Sequence, residues 1–376
     1  MRIGFDAKRA FQNHRGLGNY SRNLIDGLAG YFPENEYILY GRKPGRGELL
    51  QWTDTLPPQV KISEPASKSK VYAPLWRSYF VNNEIASDQL NIYHGLSHEI
   101  PLKKGHTQTK YIVTVHDLLF LRFKQNFTWT DRQIYLSKIK YSCKNADLVL
   151  AVSEQTKADL INFLNVPEEK IKVAYQSCST LYYKEVDNLS KNAVRQKYRL
   201  PDDFLLFVGA LVKHKNIDRI IEAVALLPEE TKLPLVIVGR SNSYKKQLLE
   251  VVSKFQLDNK VIFLDYVDIA DMPAIYQLAK MLVWPSLFEG FGIPIVEALF
   301  SKLPVITSNV GCFSEVGGKG SVYVDPNNSE EISKAIHDIL TNRSLSAKMQ
   351  QVGVEYAQKF HIQNTTARLI DLYSSL

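Results

Sequence analysis

Short apolar runs of four to six residues alternate with helically spaced stretches along the whole chain. That alternation restricts the fold to α/β layers built on parallel sheets. Strands are expected at Arg2–Asp6, Tyr37–Tyr40, Asn91–His94, Tyr111–Val115, Asp147–Val152 and Lys170–Ala174. A second series follows at Phe204–Val208, Leu235–Val238, Lys260–Leu264, Met281–Trp284, Pro304–Thr307 and Ser321–Val324. Helices are expected between them, among them Asn19–Tyr31, Tyr72–Leu90, Thr130–Asn145, Asn216–Leu227 and Ile293–Ser301. With 376 residues the chain is too long for one ordinary core. The reading is a first domain over 1–177, a polar linker over 178–192 and a second domain over 193–362. Two doubly wound lobes facing one another place the carboxyl ends of their strands on a central cleft, where such sheets bind ligands.

Composition narrows the class of protein. Hydrophobic residues make up 45% and charged residues 23%, the balance of a soluble globular chain. No apolar run reaches the length needed to cross a bilayer. No secretory leader pattern precedes the strand at Arg2, and the three cysteines are widely spaced. A reducing cytoplasm is therefore expected, without a disulfide framework or zinc site. The net charge of +7 lies in the first half, where residues 1–180 hold 24 Lys and Arg against 17 Asp and Glu. Nucleic acid, an anionic membrane, an anionic substrate and a plain solvated surface all remain open as readings of that excess. No nucleic-acid-binding motif accompanies it.

The chemistry concentrates in Pro285-Ser286-Leu287-Phe288-Glu289-Gly290-Phe291-Gly292-Ile293-Pro294-Ile295-Val296-Glu297. A strand enters a turn that carries one carboxylate, and a Gly-x-Gly break opens a helix that carries another. Pro294 suits the first turn of that helix, whose unpaired N–H groups attract anions. The break gives the two carboxylates separate tasks, in keeping with a sugar phosphate that has hydroxyls to hold and a diphosphate to stabilise. Lys215 follows a strand and precedes a helix, where a cation serves a phosphate as readily as it serves as an ordinary loop lysine. Gly16 and Gly18 lie before a helix and let the backbone approach a ligand. His116 ends a strand. Its position alone fits a structural histidine as well as a ligand contact.

This Glu-x7-Glu run resembles the signature of the retaining GT-B glycosyltransferases, family four (glycosyl transferases group 1). Val208-Gly209-Ala210-Leu211-Val212-Lys213-His214-Lys215-Asn216 resembles that family's phosphate-contacting segment. Gly16-Leu17-Gly18-Asn19-Tyr20 is similar to its N-terminal glycine loop, and Val115-His116-Asp117-Leu118 to its His-Asp element beside the donor sugar. The resemblance implies two Rossmann-like domains about a cleft, with a final helix, residues 363–376, crossing back to the first domain. It implies Glu297 on the ribose hydroxyls and Glu289 on hydroxyls of the transferred sugar, with backbone donors from Gly290, Phe291 and Gly292. It further implies Lys215 on the diphosphate, His116 on a sugar hydroxyl through its side chain or the adjacent backbone, and a loop at Gly16 and Gly18 that shapes the acceptor side and closes over the diphosphate. The chain departs from the pattern at two positions where arginine is common, now Ala210 and His214. Lys213, Arg240 or Arg15 is then left to complete the cationic clamp.

The activity so implied is retaining transfer of a hexose, first of all mannose from GDP-mannose, to a glycan or lipid-linked glycan. The nucleoside diphosphate sugar is a substrate, and no cofactor is expected. No Asp-x-Asp occurs, so metal independence is expected as well. The alternatives are a UDP-hexose donor, a GT-B nucleotide-sugar epimerase and a non-catalytic two-lobed sugar-binding protein. A lipid-linked acceptor would draw the enzyme to the inner membrane face. Candidate contacts are Tyr72, Leu75, Trp76, Tyr79 and Phe80 near Lys68, Lys70 and Arg77, and Trp129, Tyr135, Ile139 and Tyr141 among Arg132, Lys138, Lys140 and Lys144, although most of these aromatics are expected to pack inward.

Overall fold

The computed structural model describes residues 1–67, 72–102 and 108–376, so Lys68 and Lys70 lie outside the described residues. The chain divides into two compact units, Met1–Cys178 with Phe360–Leu376, and Ser179–Lys359.

The first unit holds strands β1 (Arg2–Asp6), β2 (Glu36–Tyr40), β3 (Val60–Ser63), β4 (Ile92–Gly95), β5 (Lys110–Val115), β6 (Leu148–Ala151) and β7 (Ile171–Val173). They form one sheet in the order β3-β2-β1-β4-β5-β6-β7, with every paired neighbour parallel. The second unit holds β8 (Leu205–Val208), β9 (Leu235–Val238), β10 (Val261–Leu264), β11 (Met281–Trp284), β12 (Val305–Ser308) and β13 (Ser321–Val324). Its order is β10-β9-β8-β11-β12-β13, again parallel. Both orders are those of a Rossmann-type sheet, which reverses direction between β1 and β4 and between β8 and β11. Ligands of such sheets bind at the carboxyl end of that switch point. The strands read as continuous apolar runs because helices cover both faces, and β4, β6, β9, β11 and β12 are buried throughout.

Three sequence expectations need correction. The strand Val60–Ser63 has no counterpart among the expected ones, and it adds an edge to the first sheet beside β2. Only Val60 in it is buried, so it lacks a run of core residues to reveal it. The stretch 178–192 is no open linker: it carries a 3-10 turn, Thr180–Tyr183, and the start of a helix, Asn188–Tyr198. Tyr182 packs edge-on to Tyr276 with ring centroids 5.3 Å apart, which fixes that segment to the second unit. The expected helix over 72–90 begins as one α turn, Tyr72–Leu75, passes through a π turn, Trp76–Phe80, and resumes at Val81–Ser87. π turns commonly mark functional positions.

The chain returns to the first unit at Phe360, and the helix Ile362–Ser374 packs there. Leu369, Leu372 and Tyr373 join a core that includes Ile3, Phe5, Ile25 and Leu28. A buried polar chain locks it: Tyr373 Oη lies 2.6 Å from His94 Nδ1, and His94 Nε2 lies 2.7 Å from Thr114 Oγ1. Such a fully satisfied network confers one geometry on an otherwise non-directional apolar contact.

Candidate functional site

In the second unit, the loops leaving β8 and β11 meet because those strands are neighbours. Asn216 takes the left-handed conformation, with φ of 61°, and its amide donates to the carbonyls of Pro285 (3.0 Å) and Pro326 (2.6 Å). The Leu287 N–H donates to the His214 carbonyl at 2.8 Å, and Ser286 Oγ lies 3.0 Å from the same oxygen. His214, expected at the phosphates, thus joins the two loops through its backbone. Between these ties Lys215 Nζ lies 2.6 Å from Glu289 Oε1 and 4.6 Å from the centroid of the Trp284 ring. Both side chains are largely shielded, 14% and 12% exposed, so this pair is screened far less than a surface ion pair. Lys213 is exposed on the same turn, and Arg240 is exposed after β9.

Gly292 has φ of +120°, and a Cβ there would lie 3.3 Å from both Trp284 and Ile295. The backbone can make this sharp entry into the helix Ile293–Phe300 only with glycine. Phe291 is buried, and its carbonyl accepts from Cys312 Sγ at 2.9 Å, with the Glu289 carbonyl 3.3 Å from the same sulfur. On the helix Glu297 is half-buried rather than solvated. Burial pushes its carboxyl up to about 7, against the hydroxyls of Tyr276 and Tyr182, which favour the ionised form. Tyr276 Oη donates to Glu297 Oε2 at 2.6 Å.

The first unit gathers the remaining candidates at the carboxyl edge of its sheet. His116 is buried, with Nε2 donating to the Leu96 carbonyl at 2.8 Å and Nδ1 lying 3.1 Å from Gln176 Nε2. Tyr20 packs edge-on against its ring at 4.6 Å. Burial, then neighbouring His98, pushes the imidazole down to about 3, so it is neutral at physiological pH. Both ring nitrogens of His116 thus serve protein partners here, whereas the expected sugar contact is through the side chain or the adjacent backbone. Gly16 and Gly18 are not a loop but the first turn of the helix Gly16–Tyr31. A Cβ on Gly18 would strike the Asn13 carbonyl at 1.7 Å, so packing explains that glycine, whereas a Cβ on Gly16 would meet open space.

Sequence reasoning missed two features of this edge. His98 holds φ of 64°, and its buried Nδ1 has no hydrogen-bond partner among the described residues. Arg77 donates through Nε to Asp6 at 2.7 Å and through Nη1 to Glu99 at 2.6 Å. Asp6 ends β1 and Glu99 follows β4, so this charged group occupies the switch point of the first sheet. No local pattern reveals it, because the three residues meet only through strand order.

Two parallel Rossmann-type sheets in two compact units, each with charged side chains gathered at its switch point, give the GT-B class of fold. The chain belongs to the family described as glycosyl transferases group 1, whose model matches residues 190–359, and the model described as glycosyltransferase family 4 matches residues 15–178. It is 31% identical over 289 residues to O-antigen chain mannosyltransferase B of Escherichia coli, covering 76% of this chain and 74% of the relative. It is 33% identical over 243 residues to the O-antigen chain mannosyltransferase RfbU of Salmonella typhimurium, covering 64% and 63%. Among solved structures, Anabaena HepE in complex with UDP superposes with a TM-score of 0.75 at 20% identity, covering both chains fully. Sucrose-phosphate synthase from Thermosynechococcus elongatus gives 0.78 at 20% identity, covering 100% of this chain and 98% of that one. The protein is a hexosyltransferase.

Among the described residues no helix is long and apolar enough to cross a membrane, and no group of three or more His, Cys, Asp or Glu is placed to hold a metal ion.

Proposed function

We propose that this enzyme transfers mannose with retention from GDP-mannose to a growing, lipid-linked glycan, without a metal ion, on the inner face of the membrane. The observation that carries the reading is the shielded Lys215–Glu289 pair at the β8/β11 switch point, just before the helix entry at Gly292. Lys215 offers a fixed cation to the departing diphosphate, and Glu289, once released, accepts hydroxyls of the sugar. Gly290, Phe291 and Gly292 supply the adjacent backbone, and Glu297 takes the ribose diol on its two oxygens. The bond from the anomeric carbon to the diphosphate breaks as that from the acceptor oxygen forms on the same face. The acceptor proton passes to the leaving phosphate, so no protein base is required, in keeping with a His116 held neutral and fully bonded. We assign His116 a positioning role, through the Leu96 turn and Gln176.

Mannose is favoured by the two O-antigen mannosyltransferases to which the chain is similar. A UDP-hexose donor is the second reading, favoured by the fold shared with HepE, solved with UDP-glucose. Incubation with each donor discriminates between them. Slow release of GDP from GDP-mannose, unaffected by EDTA, is expected, with an α-linked product by NMR when a glycan acceptor is added. Release from UDP-glucose alone overturns the donor, and strict dependence on Mg²⁺ overturns the metal-free mechanism.

The membrane reading rests on the surface of the first unit. Trp76 and Ile139 are buried, the fate expected of most aromatic and apolar residues in these helices. Leu75, Tyr79, Phe80, Trp129, Ile134 and Tyr135 are instead exposed, Trp129 by 69%. Lys140 and Arg132 share the helix Trp129–Asn145 with three of them. Each basic residue near an anionic surface contributes about 1 kcal/mol, screened by salt. Binding to vesicles containing anionic lipid, released by high salt and weakened by Trp129→Ala, is the expected result. Equal partitioning onto neutral and anionic vesicles argues against it.

A further inference from the structure

Beside the switch point of the first sheet, a cavity of about 190 Å³ opens between the segments that follow β1, β2 and β3, with Lys8, Gln12, Arg42, Pro65, Trp76 and Arg77 on its wall. Arg77 is committed to Asp6 and Glu99, and Glu99 also receives Lys138 at 3.2 Å. Nearby Lys43 pairs with Asp54, and Glu64 accepts the Lys43 backbone N–H. Asp6 and Glu99 are thus engaged by Arg77, and Glu84 accepts from the Trp76 indole N–H at 2.7 Å. Lys8 and Arg42 form no salt bridge among the described residues. Lys8 is only partly exposed. Burial, and then the Arg77 charge, pushes its ammonium below the ordinary lysine range, although Glu99 and Asp6 pull the other way.

A half-buried ammonium and an exposed guanidinium thus line one cavity beside the paired Arg77. Lysine meets a phosphoryl group as a point charge and arginine as a planar fork, so the two together suit a dianionic tetrahedral ligand. Trp76 and Pro65 add apolar surface to the same wall. The cavity lies in the unit that carries the exposed aromatic surface, and at the sheet edge where Rossmann-type units bind ligands. Lys8 follows β1 by two residues and Arg42 follows β2 by two, just beyond the last paired residues of those strands, Asp6 and Tyr40.

We propose that the Lys8–Arg42 cavity is an anion subsite that holds a phosphoryl group of the acceptor. The inference rests on the transferase reading for the word acceptor, and on the first unit alone for the phosphoryl group. The same chemistry has two sources, the diphosphate of a lipid-linked glycan or a soluble phosphate ester.

Calorimetric titration of the full chain tests it, with inorganic pyrophosphate and with decyl diphosphate as probes. The chain carries Lys215→Met and Glu289→Gln, which together neutralise the charge pair of the second unit without leaving half of it. Binding of decyl diphosphate is expected, with the dissociation constant raised at least tenfold by Lys8→Gln or Arg42→Gln and restored by Lys8→Arg. Pyrophosphate binding tenfold weaker than decyl diphosphate assigns the lipid-linked source, and equal binding assigns a soluble ester. Arg77 is not a useful probe, because its loss strands Asp6 and Glu99 and threatens folding. No binding of either probe, or binding unchanged by Lys8→Gln and Arg42→Gln, overturns the subsite. Donor hydrolysis by the chain with Lys215 and Glu289 intact is measured in parallel. Its absence, with phosphate binding still dependent on Lys8, removes the transferase reading and leaves the anion subsite standing.

Discussion

Lys215→Ala is expected to lower turnover by about 10²–10³-fold, the range seen when one preorganised charge-stabilising group is removed from an active site. Negative charge on the diphosphate grows as the bond to the sugar breaks, so the loss falls mainly on the transition state and only weakly on donor affinity. The ion pair adds a second consequence. Lys215 and Glu289 stand 2.6 Å apart and are both shielded, so removal of the lysine leaves a carboxylate without its cation in a site that excludes much of the water. A lower melting temperature is expected, and the companion change Glu289→Gln should recover part of it, because coupled residues do not add. Turnover should not recover with it. Steady-state kinetics, nucleotide titration and thermal unfolding on the two single variants and the double variant separate these effects. Equal losses in donor affinity and in turnover would instead make Lys215 a plain binding group.

Glu297→Ala is expected to cost roughly 2–4 kcal/mol of donor binding, the loss of two hydrogen bonds to a charged acceptor, with far-UV spectra unchanged. The environment of this residue gives the effect a pH signature. Burial raises its carboxyl to about 7, so in the folded protein a proton is bound over the interval between an ordinary carboxylate pKa and about 7. Within that interval the native state binds more protons than the unfolded chain, and this group's contribution to stability falls as pH rises. Donor binding has the opposite sign, since only the ionised form accepts both ribose hydroxyls. Nucleotide affinity should therefore rise between about pH 6 and pH 8 and level off above, as a carboxyl near 7 loses its proton. Glu297→Gln should bind weakly and without that rise. An affinity for nucleotide that is flat across this range in the parent, or unchanged in Glu297→Ala, would remove the ribose assignment.

The strands and the order of charged residues along the chain are legible in the sequence for a local reason. A buried parallel strand must be apolar on both faces, and a Gly-x-Gly break before Pro294 fixes where a helix begins, so both signals reside in consecutive residues. Glu289 and Glu297 are legible for the same reason, since they lie on either side of that break. What sequence leaves open lies between residues distant along the chain. Lys215 and Glu289 are brought to 2.6 Å only because β8 and β11 are neighbours in their sheet, and a sequence does not state strand order. Arg77 meets Asp6 and Glu99 for the same reason in the first sheet. The neutral state of His116 and the raised carboxyl of Glu297 are set by burial, which belongs to the folded chain. The 178–192 stretch reads as a polar linker, yet Tyr182 anchors it to Tyr276, because one aromatic contact from a distant helix outweighs local polarity. Local periodicity thus determined the elements and the chemistry on offer, while the order of the strands decided which charges meet, since only packing sets the distance and the dielectric between them.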